Sequence, residues 1–272
     1  MTKPAKVWSR ISAITRRDAR IELTYHFQLA MRYFSTLFSV AVFFFIGKLV
    51  REAPELAPYS GGYFAFALIG LVVTAFATIA MREVSRTFTT EASAGTLEIL
   101  LAGPTPLSSI IAGSLVVPFG IGVTDMVIYL GAGFLFGGVA YTLWGALLAI
   151  PILVLTTLSF VAVGIFATAF LVMTRRGEPF SLLALGATGL LAGALFPVAV
   201  LPEPLQALAR VFPAFYGLNA LREVLLAGAG VDAVWDEIVV LVLFNLVLFP
   251  LSMWALRGSL RQARVLGTLV SS

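Results

Sequence analysis

Asp125 is the only ionisable side chain deep within one of the long apolar runs of this sequence, and His26 is its only histidine. A carboxylate at membrane depth is the residue type that pairs with a cation, relays a proton or lines a polar path. Glu91 and Glu98 stand in "EASAGTLEILLAGPTP", residues 91–106, between two of the most apolar stretches of the chain. The other chemistries lack their residues. There is no cysteine, which excludes disulfides and thiolate chemistry. One histidine makes no metal cluster, and Asp125 with a distant His26 makes no nucleophile–base set for an intramembrane protease or lipid transferase. No G-x-x-x-x-G-K-[ST] phosphate loop occurs, so energy from ATP must come from another polypeptide.

The elements that position these residues follow from composition. Of 272 residues, 60% are hydrophobic and 12% charged, with mean hydropathy +0.99. A soluble domain carries roughly 25% charged residues, so the solvent here is a bilayer. A spanning helix needs about 20 apolar residues, and six runs qualify: 32–50, 62–81, 108–138, 142–173, 180–201 and 238–256. Lipid demands internally satisfied backbone, which makes these helices, and the alternating strands of a barrel are absent. Pro118 and Pro151 fall inside spans as expected kinks. No repeat or low-complexity linker divides the chain, which reads as one membrane domain over 1–272.

Of the 18 Lys and Arg residues, all but Lys48, Arg51, Arg210 and Arg222 fall on one side if the amino terminus is inside. The positive-inside rule then places both termini, including the tail 257–272, in the cytoplasm. The net charge of +4 comes from these flanks and calls for no nucleic-acid partner. The first residues lack the compact apolar core and cleavage site of a signal peptide, so the first span is expected to remain.

Residues 7–23 read as an interfacial helix, with Val7, Trp8, Ile11, Ile14 and Ile21 on one arc and Arg10, Arg16, Arg17 and Arg20 opposite. Asp18 and Glu22 interrupt the apolar arc, and a basic tail without fixed pose is the plainer reading. On the outer side, 202–237 holds two apolar stretches too short to span, around Pro213. With Phe212, Phe215, Tyr216, Leu218, Leu221, Val224 and Leu225 so close together, they read as two short re-entrant helices.

For residues 91–106 two readings stand. One is a solvated loop. The other is a docking knob below the membrane, helical from Thr96 to Leu101, broken at Gly103-Pro104, with Leu97, Leu100 and Leu101 available to pack. The pattern "ExxxGTLEILLAGP" followed by "SSIIAGSLV" resembles the cytoplasmic segment of type-2 ABC exporter permeases. "FPAFYGLNALREVLLAGAGVDAVWDE" with the final span and basic tail is similar to the last third of the same permeases. The charge-dense run that many members carry before G-T-L-E is replaced here by "TTEASA".

The resemblance implies an all-α membrane protein of six spans, with a coupling helix formed or positioned by Glu91, Gly95, Thr96, Leu97 and Glu98, running on through Leu101 to Pro104. That helix would seat in a separate ABC ATPase subunit, which would bind ATP and Mg, while this chain holds no cofactor or metal. It implies a second permease subunit, an identical one in the simplest case, lipid neighbours and a prokaryotic plasma (inner) membrane. The outer segment would help close the exit, with Phe212, Phe215 and Tyr216 near the gate. Arg222 and Glu223 would pair across a dimer or with water. Asp125 either lines a pathway or sits hydrogen-bonded to Thr124 or a neighbouring helix, with no intramembrane basic partner in view.

The cargo expected from apolar and aromatic spans is lipidic, amphipathic or drug-like, and the resemblance implies that it is moved outward. The alternatives are a polysaccharide exporter of the same fold, a haem-assembly relative, an ion-driven secondary transporter and an intramembrane enzyme. Gly189 and Gly193 are spaced for close helix contact or ordinary intrachain packing.

Overall fold

A computed structural model describes residues 12, 15–20, 22, 24–50, 59–93, 95–96, 106–174, 185–186 and 188–265. Among them, the regular elements are all helical: α1 (His26–Leu49), α2 (Gly62–Ser93), α3 (Leu107–Gly137), α4 (Leu143–Thr174), the short α5 (Glu203–Ala209) and α6 (Pro213–Leu226), and α7 (Trp235–Val265). Single 3-10 turns lie at Val198–Val200 and Val231–Val234. Residues 15–20 are helical as well, within the stretch expected at the interface.

Among the described residues, five helices are long and apolar enough to cross a membrane: His26–Leu49, Gly62–Glu91, Leu107–Gly137, Leu143–Met173 and Val231–Gln262. At about 1.5 Å per residue, the 31 residues of α3 extend about 46 Å, well past the ~30 Å of hydrocarbon. The long helices therefore tilt or project. Pro118 and Pro151 lie inside α3 and α4 without ending them.

Two boundaries differ from the sequence reading. α2 runs on to Ser93 instead of ending near 81. Its apolar stripe continues through Met81, Val84 and Phe88, all at most 3% exposed, at the spacing that keeps one helix face in the core. The sequence also predicts a span at 180–201. Residues 180–184 and 187 lie outside the described set, residues 188–190 are helical, and 191–201 form turns, bends and a 3-10 turn. Gly193 adopts φ +81°, a left-handed conformation that glycine enters without the Cβ penalty. Its spacing from Gly189 therefore marks a break in the chain and not a helix-packing stripe.

α2 is the central element. Of its most apolar window 78% is buried, against 11% for α1 and 17% for α7. One side of α2 (Ala65, Ile69, Val73, Ala80, Val84) packs with α4 and α6, on which α7 packs in turn, and the other (Phe64, Leu68, Val72, Phe76) meets α1 and α3. α1 is peripheral, with Phe27, Phe34, Phe38 and Phe45 each 61–75% exposed, a composition suited to lipid or to another apolar surface.

Candidate functional site

At the end of the bundle shared by the amino-terminal helix, α2 closes in a local motif. Gly95 takes φ +69°, and the Thr96 amide donates to the Glu91 carbonyl at 3.0 Å. This is the six-to-one bond of a Schellman cap with glycine at the left-handed position. The Thr96 hydroxyl adds a 2.6 Å bond to the Glu91 carboxylate. Arg17 reaches the other Glu91 oxygen at 3.5 Å and pairs with Asp18 at 2.9 Å. The hydrogen bond that Arg17 donates to Asp18 raises the Arg17 pKa against the opposing effect of burial, and the Glu91 charge adds to the rise. Arg17, Glu22, Glu83, Arg86 and Glu91 surround a charged cleft of about 200 Å³.

Glu91, Gly95 and Thr96 are thus brought together, but as the end of α2. Thr96 is not helical, which corrects the expectation of a helix starting there. The cause is that the cap draws the Thr96 amide and hydroxyl back onto α2. Leu97, Glu98, Leu101 and Pro104 lie outside the described residues.

Midway along α3, Asp125 is 4% exposed and is not alone. Arg32 of α1 donates to its Oδ2 from Nη2 at 2.7 Å and from Nε at 3.0 Å, and the Thr36 hydroxyl donates to Oδ1 at 3.0 Å. Beside them the Tyr33 and Thr124 hydroxyls are 3.0 Å apart. The expected absence of a basic partner is therefore wrong. α1 and α3 run in the same direction but are offset along their axes, so a cation near the start of α1 meets the middle of α3. The two hydrogen bonds from one guanidinium are the strong, charge-assisted kind that a buried carboxylate requires.

At the opposite end, α6 folds over the bundle and its last carbonyl accepts bonds from the Ser60 amide and hydroxyl. Arg222 is 2% exposed, which corrects its expected place at a solvated or intersubunit surface. Its Nη1 donates to the Gly193 carbonyl at 2.8 Å, and its Nη2 donates to the carbonyls of Ala194 at 2.9 Å and Phe66 at 3.2 Å. The guanidinium stacks 3.3 Å over the Phe66 ring. The broken chain at 193–194 thus has its free carbonyls satisfied by an arginine from another element.

Gly70 makes this approach feasible, since a Cβ there would stand 1.8 Å from the Ala194 carbonyl oxygen. Glu223 is half-buried and forms no ion pair among the described residues. Phe215 and Tyr216 meet edge to face at 5.3 Å, and Tyr216 leans on Phe244 of α7, while Phe212 precedes Pro213 at the start of α6. Burial raises the phenol pKa of the nearby Tyr59, Glu223 adding to the rise and Arg222 opposing it, so Tyr59 keeps its proton.

A third space, between α3 and α4, is apolar. α3 and α4 both pack on α2 with little contact between themselves. They leave a cleft of about 750 Å³ floored by Ile69, Val72 and Phe76 and closed at one end by Leu221 and Leu225. Val123, Ile150, Val154 and Leu158 line it too and are 40–58% exposed, so the cleft opens along the flank of the helices. The hydroxyls of Tyr141 and Thr157 are buried without a hydrogen-bond partner among the described residues, and both residues line it. Among the described residues no His, Cys, Asp or Glu cluster could hold a metal.

Comparison with known proteins agrees with this architecture. The family model described as ABC-2 type transporter matches residues 10–226. Nodulation protein J of Rhizobium leguminosarum bv. trifolii is 31% identical over 131 residues, covering 48% of this chain and 50% of that protein. Nodulation protein J of Rhizobium meliloti (strain 1021) is 28% identical over 166 residues, covering 60% and 62%. The matches therefore span between half and two thirds of these relatives' own length.

Proposed function

The chain belongs to the ABC-2 type transporter family, and on that premise we propose that it is the permease subunit of an ATP-driven exporter of lipidic or amphipathic cargo. The apolar cleft between α3 and α4 carries this reading of the cargo. A sugar polymer needs a path lined by hydrogen-bonding groups, whereas this space offers aliphatic and aromatic side chains, two hydroxyls and a flank that opens where lipid would lie. A polysaccharide exporter of the same fold is the rival that the test must separate.

ATP would be bound by a separate ATPase subunit, since this sequence has no phosphate-binding loop. The end bearing Arg17, Arg86, Arg257 and Arg261 would face the cytoplasm. There the capped end of α2 and the segment beyond it, through Glu98 and Leu101 to Pro104, would dock on that subunit, with Arg17–Glu91 linking the amino-terminal helix to the same lever. Two copies of this chain would pair in the plasma membrane, and α5 and α6 would close the outer exit, with Phe212, Phe215, Tyr216 and Glu223 around it.

The test is transport in proteoliposomes holding this chain and its ATPase subunit, with fluorescent phospholipid and labelled oligosaccharide as alternative cargoes. Val154→Trp should fill the cleft and reduce ATP-dependent lipid movement at least tenfold without loss of assembly. Movement of the oligosaccharide with no lipid movement, unaffected by the substitution, would overturn the proposal.

A further inference from the structure

Beneath α5 and α6 lies a second cavity, of about 350 Å³, with Tyr59, Phe66, Gln206, Arg210, Asn219 and Arg222 in its wall. Among the described residues, two guanidinium groups border it and no carboxylate does. Among the described residues, buried Arg222 has only carbonyl dipoles and the Phe66 ring as partners, and its Nε has no acceptor. No ion pair among the described residues involves Arg222 or Arg210. A buried charge left without a counter-charge is costly, and here a second cation stands at the same cavity.

The neutral groups point to the same ligand chemistry. The Tyr59 hydroxyl and the Asn219 side chain have no hydrogen-bond partner among the described residues, so both are available as donors. Gln206 is already engaged with the carbonyls of Ala199 and Leu201, which fixes that side of the wall. Glu223, whose charge reaches Tyr59, stands outside the lining. Two guanidiniums, a phenol and an amide around one space make a donor-rich recess in an otherwise apolar fold. Arginine's planar fork matches phosphate oxygens in geometry as well as charge.

We propose that this cavity binds a phosphate-type anion, held by Arg210, Asn219 and Tyr59 above the buried charge of Arg222. The anion is either the headgroup of a phospholipid or free phosphate. The site is independent of the cargo reading above and is tested with no ATP or ATPase present.

The experiment uses the full chain in neutral detergent. Inorganic phosphate is titrated by isothermal calorimetry, and native mass spectrometry measures retention of phosphatidylglycerol against phosphatidylcholine. Arg210→Gln and Asn219→Ala alter an exposed and a half-buried side chain respectively, so both variants should fold. Arg257→Gln, at the other end of the bundle, is the control.

Phosphate binding that weakens about tenfold in Arg210→Gln, as loss of one charge-assisted contact predicts, identifies a free-anion site. Selective retention of phosphatidylglycerol, lost in Arg210→Gln and Asn219→Ala but kept in the control, identifies a headgroup site. The proposal is overturned if neither phosphate nor phosphatidylglycerol binds, or if the ligand that binds is held as tightly by Arg210→Gln as by the wild type.

Discussion

Arg32 and Asp125 lie 93 residues apart in sequence and 2.7 Å apart in space, joining α1 to the middle of α3. α1 has little other attachment, since most of its apolar face is exposed. Asp125→Leu should lower stability by about 3 kcal/mol, the lower end for a broken buried pair, because Arg32 keeps a third of its side chain exposed. Arg32→Leu with Asp125→Leu should recover most of that loss, since two apolar groups leave no orphaned charge. Thermal unfolding of the three variants in detergent checks this, and simple additivity of the two losses would refute the coupling.

Gly70 and Gly120 offer opposite outcomes for one kind of substitution. A Cβ on Gly70 would meet the Ala194 carbonyl, whereas one on Gly120 meets nothing within 4 Å. Gly70→Ala should cost about 1–3 kcal/mol through overpacking. Gly120→Ala should gain about 0.5–1 kcal/mol through helix propensity. Melting temperatures that move together would show that the 193–194 segment does not sit against α2.

Gly95→Ala should cost about 1 kcal/mol, because the left-handed cap excludes a side chain. The effect on coupling should exceed the effect on stability. With α2 no longer ended at one register, transport per ATP hydrolysed should fall severalfold while the folded fraction stays near normal. Equal transport per ATP in wild type and variant would remove the cap from the coupling path.

Glu98→Arg reverses a charge in the segment proposed to dock on the ATPase subunit. Copurification should drop at least tenfold, with the permease still folded. Arg17→Gln should leave copurification nearly unchanged, because its bond to Glu91 is exposed and worth at most about 1 kcal/mol. If Glu98→Arg retains its partner, the docking surface lies elsewhere.

The long apolar helices could be read from sequence because each is a run of one solvent preference, and the two short helices around Pro213 stood out by being too short to span. What could not be read depends on pairs far apart in the chain. Arg32 looked like one more basic flank until α3 brought Asp125 beside it. Arg222 did leave a trace. Leu218, Leu221, Arg222 and Leu225 share one helical stripe, and all are at most 9% exposed, so the arginine occupies a core position by spacing alone. The Met81, Val84 and Phe88 stripe likewise continued α2 beyond the apolar run, where polar residues on the other faces masked it. The break after residue 190 had Gly193 and Pro197 as its signals, outweighed by the surrounding apolar residues.

The carbonyls of Gly193 and Ala194 are satisfied by an arginine that follows 29 and 28 residues later. During synthesis at about 5–20 residues per second, the broken segment leaves the ribosome one to several seconds before its partner exists. Until then it cannot settle as an independent spanning unit, because its open backbone has no donor in lipid. The segment should then wait at the translocon or against α2 until α6 completes its insertion. On this account Arg222 would set an order of assembly during biogenesis, and its loss should first show as protein that is synthesised but never integrated.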